Sequence, residues 1–332
     1  METSTVLVTG ATGFIGAHLL RLLIEMGVDR VVAGDIEGTT KHLEGILNKV
    51  EVVRTDVCSF SSVLRLVSGC KPRVIYHLAA VSAPGCDVDP ETGIRTNAIG
   101  TYHILEAARL LDVEQVIFAS SIRIFSAAPG GDPELHDYSL ARPETIYGAA
   151  TLFAENIGLV YRTQYGFDYR GLRLPVVVGP GATTRGLLEY FNAVIASSVN
   201  DMPYTIYVAP YTRIPVMHVE DAARALFELA QAPLAQIRTV NYIVLGPTPP
   251  PTAQELVSAI NLKIPTARIN FEVNHQLQQI IKAVLPQRFD DRYAREEWGW
   301  NYRYDVLNIV DDFLADVKRH ASLAGRLSST HS

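Results

Sequence analysis

Short runs of apolar, β-branched residues alternate with longer segments of helical periodicity over the first half of the chain. The first run, Thr5–Thr9, is followed by a helical pattern from Gly13 to about Met26 and by a second run, Arg30–Gly34. Apolar runs of this length are typical of strands buried on both faces, and helices between them indicate parallel strands joined by crossover connections. The alternation continues through the predicted strands Val50–Arg54, Arg73–His77, Gln115–Ala119 and Tyr169–Arg173 and the predicted helices near Phe60–Val67, Glu91–Leu111 and Thr145–Tyr165. The pattern therefore predicts an α/β fold, a doubly wound parallel sheet with helices on both faces.

The alternation stops after Leu174-Pro175, where segments rich in turn residues follow, including Pro249-Pro250-Pro251. We therefore expect a smaller C-terminal lobe. Ile214–Val219 and Thr239–Val244 are strand-like again, which predicts that the chain returns to the main sheet. The predicted division is a first domain over 1–177, rejoined by about 214–245, a substrate-binding lobe from 178–213 and 246–320, and a disordered tail over 321–332.

Composition narrows the class of protein. The chain has 332 residues, 48% of them hydrophobic and 19% charged, with a net charge of -6 and no stripe of lysine and arginine. This argues against nucleic acid as a partner. No apolar segment is long enough to span a membrane and no basic leader precedes one, so a cytoplasmic protein without membrane contact is predicted. Cys58, Cys70 and Cys86 have no metal-ligand or redox spacing, which predicts free thiols and no metal site.

The first predicted strand runs into the turn Gly10–Gly16, in which every third residue is glycine. In a turn between a strand and a helix, Gly10 permits the sharp exit from the strand, and Gly13 lets the backbone approach a pyrophosphate at the helix N-terminus. Gly16 lets the helix lie close to the sheet. The alternative is a tight turn without a ligand. The predicted contacts of this turn with a dinucleotide are Gly10, Thr12, Gly13, Phe14, Ile15 and Gly16.

Asp35 ends the second predicted strand about 20 residues beyond the turn. A carboxylate at this place accepts hydrogen bonds from the adenosine ribose and repels a 2′-phosphate, so NAD is favoured over NADP as the cofactor. Asp56-Val57, after the third strand, is placed to meet the adenine, although Asp56 has a helix cap as its alternative role. Leu78, Ala79 and Ala80 follow the fourth strand and are small where backbone must approach the cofactor.

These stretches resemble the extended short-chain dehydrogenase/reductase family over nearly the whole chain. The resemblance rests on Thr9–Gly16, Asp35, Asp56-Val57, His77–Ala80, Asn97 within Asn97–Thr101, Ala119-Ser120-Ser121 and Tyr147-Gly148. Within the family, the branch of L-threonine 3-dehydrogenases is the nearest likeness, and nucleotide-sugar epimerases match the second half less well. That branch resembles this chain at Tyr169–Pro175, Thr183-Thr184, Thr212–Ala223, Asp291–Trp300 and Tyr304-Asp305.

The resemblance implies that Tyr147 exchanges a proton with the substrate oxygen during hydride transfer, that Ser121 orients this oxygen, and that Asn97 lies at the cofactor site. Ser121 follows the fifth predicted strand and Tyr147 opens a helix, so both are placed at the crevice where open α/β sheets bind ligands. A buried structural tyrosine and a capping serine are the alternatives. Tyr147 and Thr151 are also expected beside the nicotinamide ribose.

Thr151 stands where the family carries a lysine, which is understood to hold the nicotinamide ribose and to lower the tyrosine pKa. Threonine can hydrogen-bond the ribose but supplies no cation, and a phenol with a pKa of about 10 stays protonated near neutrality. Such a tyrosine is an acid and a poor base. Arg123 is a candidate either for replacing the cation or for binding a substrate carboxylate bidentately, with a solvated arginine as the alternative.

On the substrate side, the resemblance implies that Thr183 and Thr184 face an amino-acid substrate. Arg185 stands where the family tends to carry an acidic residue, and its charge suits an acidic substrate unless it is solvated. Ser82, just past the fourth strand, is a further candidate for a carboxylate. The long helices near 91–111 and 145–165 resemble those that form four-helix dimer interfaces in the family, which predicts a homodimer.

Three functions are compatible with these residues. The first is an NAD-dependent oxidoreductase acting on the hydroxyl or keto group of a small β-hydroxy acid or amino acid. The second is an enzyme that retains NAD for non-redox chemistry, such as a sugar or acid epimerase, a dehydratase or a lyase. The third is a catalytically weakened, cofactor-binding homologue.

Overall fold

The computed structural model describes residues 5–36, 41–126, 134–182, 188–284 and 288–329. The strands are β1 (Thr5–Thr9), β2 (Arg30–Asp35), β3 (Glu51–Arg54), β4 (Val74–His77), β5 (Gln115–Ser121), β6 (Asp168–Leu174), β7 (Val176–Val178), β8 (Tyr204–Ile206), β9 (Val216–His218), β10 (Asn241–Ile243) and β11 (Ile269–Phe271). The helices are α1 (Phe14–Glu25), α2 (Phe60–Cys70), α3 (Ala83–Val88), α4 (Pro90–Ile94), α5 (Thr101–Leu110), α6 (Ile146–Tyr165), α7 (Tyr190–Val199), α8 (Val219–Gln231), α9 (Ala253–Lys263), α10 (His275–Val284), α11 (Arg292–Trp298) and α12 (Val306–Ser329).

Within the described residues, seven strands form one parallel sheet in the order β3-β2-β1-β4-β5-β6-β10. This order is that of the doubly wound, Rossmann-type fold, which confirms the predicted fold class. The chain order reverses between β1 and β4, which pair from Val6 with Val74 to Thr9 with His77. In open α/β sheets, ligands bind in the crevice at the carboxyl ends of the strands at such a point.

Successive residues of the central strands belong to two different cores. In β1, Val6 and Val8 pack in the core shared with α1 and α8, whereas Leu7 packs in the core shared with α2, α5 and α6. All three side chains are buried, and each burial of this kind contributes about 1.5–3 kcal/mol. Burial on both faces explains why these strands are continuous apolar runs in the sequence rather than alternating ones.

The helix predicted near 91–111 is divided. Between α4 and α5, Arg95–Gly100 form a π-helical turn, and the Thr101 hydroxyl donates a hydrogen bond to the Asn97 carbonyl at 2.7 Å. π-Helical turns insert an extra residue into a helix and occur often at functional sites. Asn97 lies in this turn. Its side chain therefore points in a direction that regular α-helical periodicity does not predict.

The smaller lobe has its own core, to which Phe191 of α7, Leu256 of α9 and Phe313 of α12 contribute. β10 lies beside β6 at the edge of the main sheet, whereas β9, for which the sequence predicts a similar return, pairs with β7 instead. β8 pairs with β11. The helical backbone of α12 continues to Ser329, into the segment for which the sequence predicts disorder.

Among the described helices, none combines the length and the apolar character needed to cross a membrane. The three cysteines form no disulfide.

Candidate active site

The turn after β1 has no room for side chains at two of its glycines. Gly10 has a φ of +67°, and a Cβ there would lie 2.6 Å from the Ala79 nitrogen. A Cβ on Gly16 would collide with the Gly10 carbonyl oxygen and with Ala11. The first strand, the start of α1 and the chain leaving β4 are therefore packed backbone against backbone at this corner of the crevice.

The N-terminus of α1 is open to a ligand. Gly13 is its exposed N-cap residue, makes no side-chain capping bond, and is followed by no acidic residue in the first turn. The first backbone N–H groups of a helix have no partner within the helix and carry partial positive charge. These residues therefore fit a bound diphosphate, as the glycine spacing predicts.

Asp35 at the end of β2 is half-buried and holds the same turn, because its Oδ2 accepts a hydrogen bond from the Thr12 nitrogen at 2.9 Å. Asp56 does not cap α2. Its Oδ1 accepts from the Cys58 nitrogen at 2.8 Å, and the N-cap residue of α2 is Ser59. Both carboxylates thus lie at the ends of β2 and β3, where the adenosine half of a dinucleotide is predicted.

A chain of buried hydrogen bonds crosses the floor of the crevice. His77 of β4 contacts the Thr9 hydroxyl through Nδ1 at 2.7 Å and the Thr101 hydroxyl through Nε2 at 3.0 Å. Burial lowers the pKa of His77 to about 4, so the ring is neutral. Because the Thr101 hydroxyl donates to the Asn97 carbonyl, it accepts from His77 Nε2–H, and His77 Nδ1 accepts from Thr9.

Asn97 fixes the path of the chain beyond β4. Its Oδ1 accepts from the Val81 nitrogen at 2.7 Å, and its Nδ2 donates to the Val81 carbonyl at 2.9 Å. Its amide therefore holds the loop whose residues border the crevice. A pocket opens beside this loop, and its lining residues are His77, Leu78, Ala79, Ala80, Asn97, Thr101, Phe118, Ala119, Tyr147 and Thr151. Val57, by contrast, is buried with its side chain against Gly100.

Tyr147 is set at the start of α6 by local packing. The Thr145 side chain caps the helix by accepting from the Gly148 nitrogen at 3.1 Å, and a Cβ on Gly148 would collide with the Arg123 carbonyl oxygen. The first turn of α6 therefore lies directly against the loop after β5. This contact brings Tyr147 beside Ser121, the last residue of β5.

The Tyr147 phenol is half-buried and lies beside the Ser121 side chain. Burial raises the pKa of Tyr147, and the Ser121 hydroxyl and the Arg123 charge offset that rise only in part. The phenol is therefore protonated near neutral pH. Ser121 Oγ accepts a hydrogen bond from the Arg123 nitrogen at 3.2 Å, which leaves the hydroxyl hydrogen of Ser121 available for another acceptor.

Thr151 is buried in the wall of the pocket, one helical turn beyond Tyr147. Its hydroxyl donates to the Tyr147 carbonyl at 2.8 Å, so its hydrogen is engaged within α6 and only its oxygen can accept from a ligand. It contributes no charge. Its short side chain lies where the family resemblance implies a lysine.

The candidate substrate-binding residues do not all lie within the described part of the chain. Ser82 is exposed at the start of α3 and makes no side-chain capping bond. Arg123 is half-buried beside Tyr147. Thr183, Thr184 and Arg185 lie outside the described residues. Within the described part of the chain, no group of acidic, histidine and cysteine side chains could hold a metal ion.

Sequence reasoning missed a buried ionic cluster beneath the site. Glu155 of α6 accepts from the Ser120 hydroxyl at 2.5 Å and pairs bidentately with Arg173 of β6, at 2.9 and 2.8 Å. Arg173 also donates to the Asp137 carbonyl at 2.7 Å, and burial raises the pKa of the Asp137 carboxyl to about 7. The signal was available, because Glu155 lies two helical turns after Tyr147 on the same face of the helix.

Known proteins are similar to this chain in sequence and in fold. A sequence model of the NAD dependent epimerase/dehydratase family matches residues 6–242. The mitochondrial L-threonine 3-dehydrogenase of Sus scrofa is 27% identical over 326 residues, which are 96% of this chain and 84% of the relative. An uncharacterized epimerase/dehydratase of Staphylococcus haemolyticus is 27% identical over 94% of this chain and 97% of its own length.

Solved structures show the same architecture. A GalE-like L-threonine dehydrogenase from Cupriavidus necator in its holo form has a TM-score of 0.84 at 26% identity, over 94% of this chain and 99% of that one. The L-threonine 3-dehydrogenase of Trypanosoma brucei has a TM-score of 0.85 at 27% identity, over 94% and 96%. A UDP-glucose 4-epimerase from Thermotoga maritima, at 20% identity and a TM-score of 0.83 over 96% of this chain and 99% of that one, shares the fold.

Proposed function

This chain belongs to the NAD dependent epimerase/dehydratase family and is an NAD-dependent enzyme of the dehydrogenase/epimerase type. From this premise we propose that it is an oxidoreductase acting on the hydroxyl or keto group of a small β-hydroxy acid or amino acid. The observation that carries the proposal is that the Tyr147 phenol lies beside Ser121 at the pocket between the ends of β4 and β5. The relatives named as L-threonine dehydrogenases support it.

In this proposal the protein holds NAD along the crevice at the carboxyl ends of the strands. The α1 N-terminus binds the diphosphate, Asp35 the adenosine ribose, and Asp56-Val57 border the adenine. Asn97, Tyr147 and Thr151 lie toward the nicotinamide end. Bound NAD supplies the nicotinamide ring that accepts or gives up a hydride.

Tyr147 holds a proton at its phenol oxygen and gives it to the substrate oxygen in the reducing direction. Ser121 donates its remaining hydrogen to the same oxygen and so fixes the position of that oxygen. In the oxidising direction Tyr147 must first be a phenolate, which its raised pKa disfavours. The residues present therefore favour proton donation over proton abstraction.

The same observation favours a second candidate function. A Tyr147 that is protonated near neutral pH, with no cation at position 151, also suits an enzyme that keeps NAD bound and gives a proton in a reaction without net redox change. Epimerisation, elimination and carbon–carbon cleavage belong to this class. The two functions differ in whether reduced NAD accumulates in the solution.

Replacing Thr151 by lysine should accelerate alcohol oxidation at pH 7 by about tenfold or more, because a cation within a few ångströms lowers a phenol pKa by roughly 1–3 units. The rising limb of the pH–rate profile should move to lower pH by the same amount. We would follow the absorbance of reduced nicotinamide with L-threonine, other β-hydroxy acids and nucleotide sugars, from pH 6 to 10.

Thr163→Lys is the matched control for that experiment, since Thr163 is an exposed threonine of the same helix. Its substitution should leave the profile unchanged. If neither the wild type nor Thr151→Lys reduces NAD with any hydroxy acid, the oxidoreductase proposal is wrong. Loss of a redox-neutral reaction in Thr151→Lys would favour the second function.

We further propose that two copies of the chain pair through α5 and α6. Both helices present apolar side chains to solvent, among them Tyr102, 38% exposed, Phe153, 42% exposed, and Val160, 40% exposed. Apolar patches of this kind mark interaction surfaces. Phe153→Glu should shift the protein from dimer to monomer in sedimentation, whereas Leu262→Glu on α9 should not. A wild type that sediments only as a monomer at micromolar concentration contradicts the pairing.

A further inference from the structure

The chain between Ser121 and Tyr147 returns to α6 through residues 134–144, which we call the strap. Residues 136–144 form no helix and no strand, so the position of the strap depends on individual contacts. The strap leads directly into Thr145, which caps α6 two residues before Tyr147. A contact that holds the strap therefore also holds the approach of Tyr147 to Ser121.

Asp137 ties the strap to the main sheet. Its side chain is fully buried, and its Oδ1 accepts a hydrogen bond from the Ile243 nitrogen of β10 at 2.5 Å. Its backbone carbonyl accepts a hydrogen bond from the Arg173 guanidinium of β6 at 2.7 Å. Through this one residue the strap is bound to two neighbouring strands.

Arg173 also contacts the other end of the same stretch of chain. Its guanidinium lies over the ring of Phe125, 5.4 Å from the ring centre, and Phe125 follows Ser121 by four residues. The same guanidinium bonds to Asp137 and pairs with Glu155. Both flanks of the catalytic stretch therefore contact one buried cation, and a change at Asp137 should affect the site.

The second carboxyl oxygen of Asp137 is buried, and no described residue donates a hydrogen bond to it. The cation that faces the carboxyl is Arg173, 3.8 Å from Oδ1, which already pairs with Glu155. The anions around it are Glu155 and Asp290, whose nitrogen bonds to the strap at Leu135. Ionised Asp137 therefore places negative charge on a buried oxygen without a partner, and protonation removes that charge.

We propose that Asp137 is a positioning residue that acts as a pH-sensitive latch: when protonated it holds the strap on the sheet, and when ionised it releases the strap. Burial, and to a lesser extent Asp290 and Glu155, raise the pKa of the carboxyl to about 7, against the Ile243 hydrogen bond and the Arg173 charge. The order of the site should therefore change near neutral pH. This holds whichever reaction the site performs.

His136 is the histidine of the strap and the alternative origin of a pH dependence in this range. Its Nδ1 accepts a hydrogen bond from the Tyr138 nitrogen at 3.1 Å, within the strap itself. Protonation of His136 would remove this bond and leave the two bonds of Asp137 to the sheet in place. The two residues can therefore be separated by substitution.

The sign of the effect on stability follows from the raised pKa of Asp137. The pKa of an aspartate in an unfolded chain is about 4, so the folded protein binds the proton more tightly between about pH 4 and 7. This stabilisation is fully present below pH 4 and is lost as the pH rises through 7. Relative to Asp137→Asn, which cannot ionise, the urea midpoint of the wild type should fall from pH 5 to 8 and stay constant above that range.

Hydrogen–deuterium exchange tests the latch directly. Between pH 6.5 and 8.5, after correction for the intrinsic rate, protection of peptides from the strap and the first turn of α6 should fall by about tenfold or more, the effect of one unit in pKa. A peptide of α9 should keep its protection. In Asp137→Asn the protection of the strap should not depend on pH, whereas His136→Gln should behave as the wild type.

Asp311→Asn is the matched control, because Asp311 is an aspartate in an exposed ion pair on α12, and it should behave as the wild type. The proposal is overturned if the protection of the wild-type strap is independent of pH, if Asp137→Asn keeps the wild-type dependence, or if His136→Gln removes it. Equal loss of protection in α9 also overturns it, since the whole fold then loosens. Asp137→Ser, which is also uncharged, gives the same comparison if the asparagine variant does not fold.

Discussion

Replacing Tyr147 by phenylalanine should lower kcat by about 10²- to 10⁴-fold, the contribution usual for a positioned general acid or base. The substitution removes the phenol oxygen and keeps the ring, so the start of α6 and the wall of the pocket should be retained. Because the proposed diphosphate and adenosine contacts lie at α1 and β2, NAD should bind with nearly unchanged affinity.

The measurement is a pair of experiments on one preparation. Single-turnover absorbance would give the rate of the chemical step, and quenching of protein fluorescence would give the dissociation constant of NADH. Tyr165→Phe serves as the control, since Tyr165 is a half-exposed tyrosine at the far end of the same helix. An active Tyr147→Phe enzyme with wild-type kcat would exclude Tyr147 as the proton donor.

Replacing Glu155 by glutamine should lower the free energy of unfolding by about 3–5 kcal/mol, because it leaves the buried guanidinium of Arg173 without a compensating charge. Burial by itself would lower the pKa of Arg173, yet the Glu155 carboxylate holds that pKa above its ordinary value. Asp137 can take over this role only in part near neutral pH, since its own pKa is raised to about 7 and its Oδ1 lies 3.8 Å from the guanidinium.

Urea denaturation monitored by circular dichroism would test this prediction, with Asp311→Asn as the control. Asp311 pairs with Lys263 at the surface, and loss of an exposed ion pair costs at most about 1 kcal/mol. Replacing Glu155 and Arg173 together by methionine should recover most of the lost stability, because neither member of the ion pair is then left buried without its partner. Equal stability of Glu155→Gln and the wild type would show that the ion pair is energetically neutral.

The parts of the fold that could be predicted are those in which local sequence and buried packing agree. The strands β1, β2, β4 and β5 are buried on both faces and so appear as short apolar runs, and Gly10 and Gly16 are required by backbone contacts that allow no Cβ. Tyr147 and Ser121 could be proposed because the chain resembles the extended short-chain dehydrogenase/reductase family at these positions, and because each lies at the end of a predicted element.

The smaller lobe could not be predicted in the same detail. β8, β9 and β11 have three residues each, and β8 pairs with a strand that is distant in the sequence, so no local period marks them. Asn97 was predicted within a regular helix, because nothing in its periodicity indicates a π-helical turn.

The edge strand β10 has a consequence for how the protein is made. Its residues pair with Gly171–Arg173 of β6, although the chain between them builds α7, β9 and α8. During synthesis the hydrogen-bonding edge of β6 therefore remains uncovered until Ile243 has left the ribosome. An uncovered strand edge is a template for pairing with another chain. If translation pauses before this point, the nascent chain has an open sheet. The demand on chaperones is therefore greatest in the interval between the synthesis of β6 and that of β10.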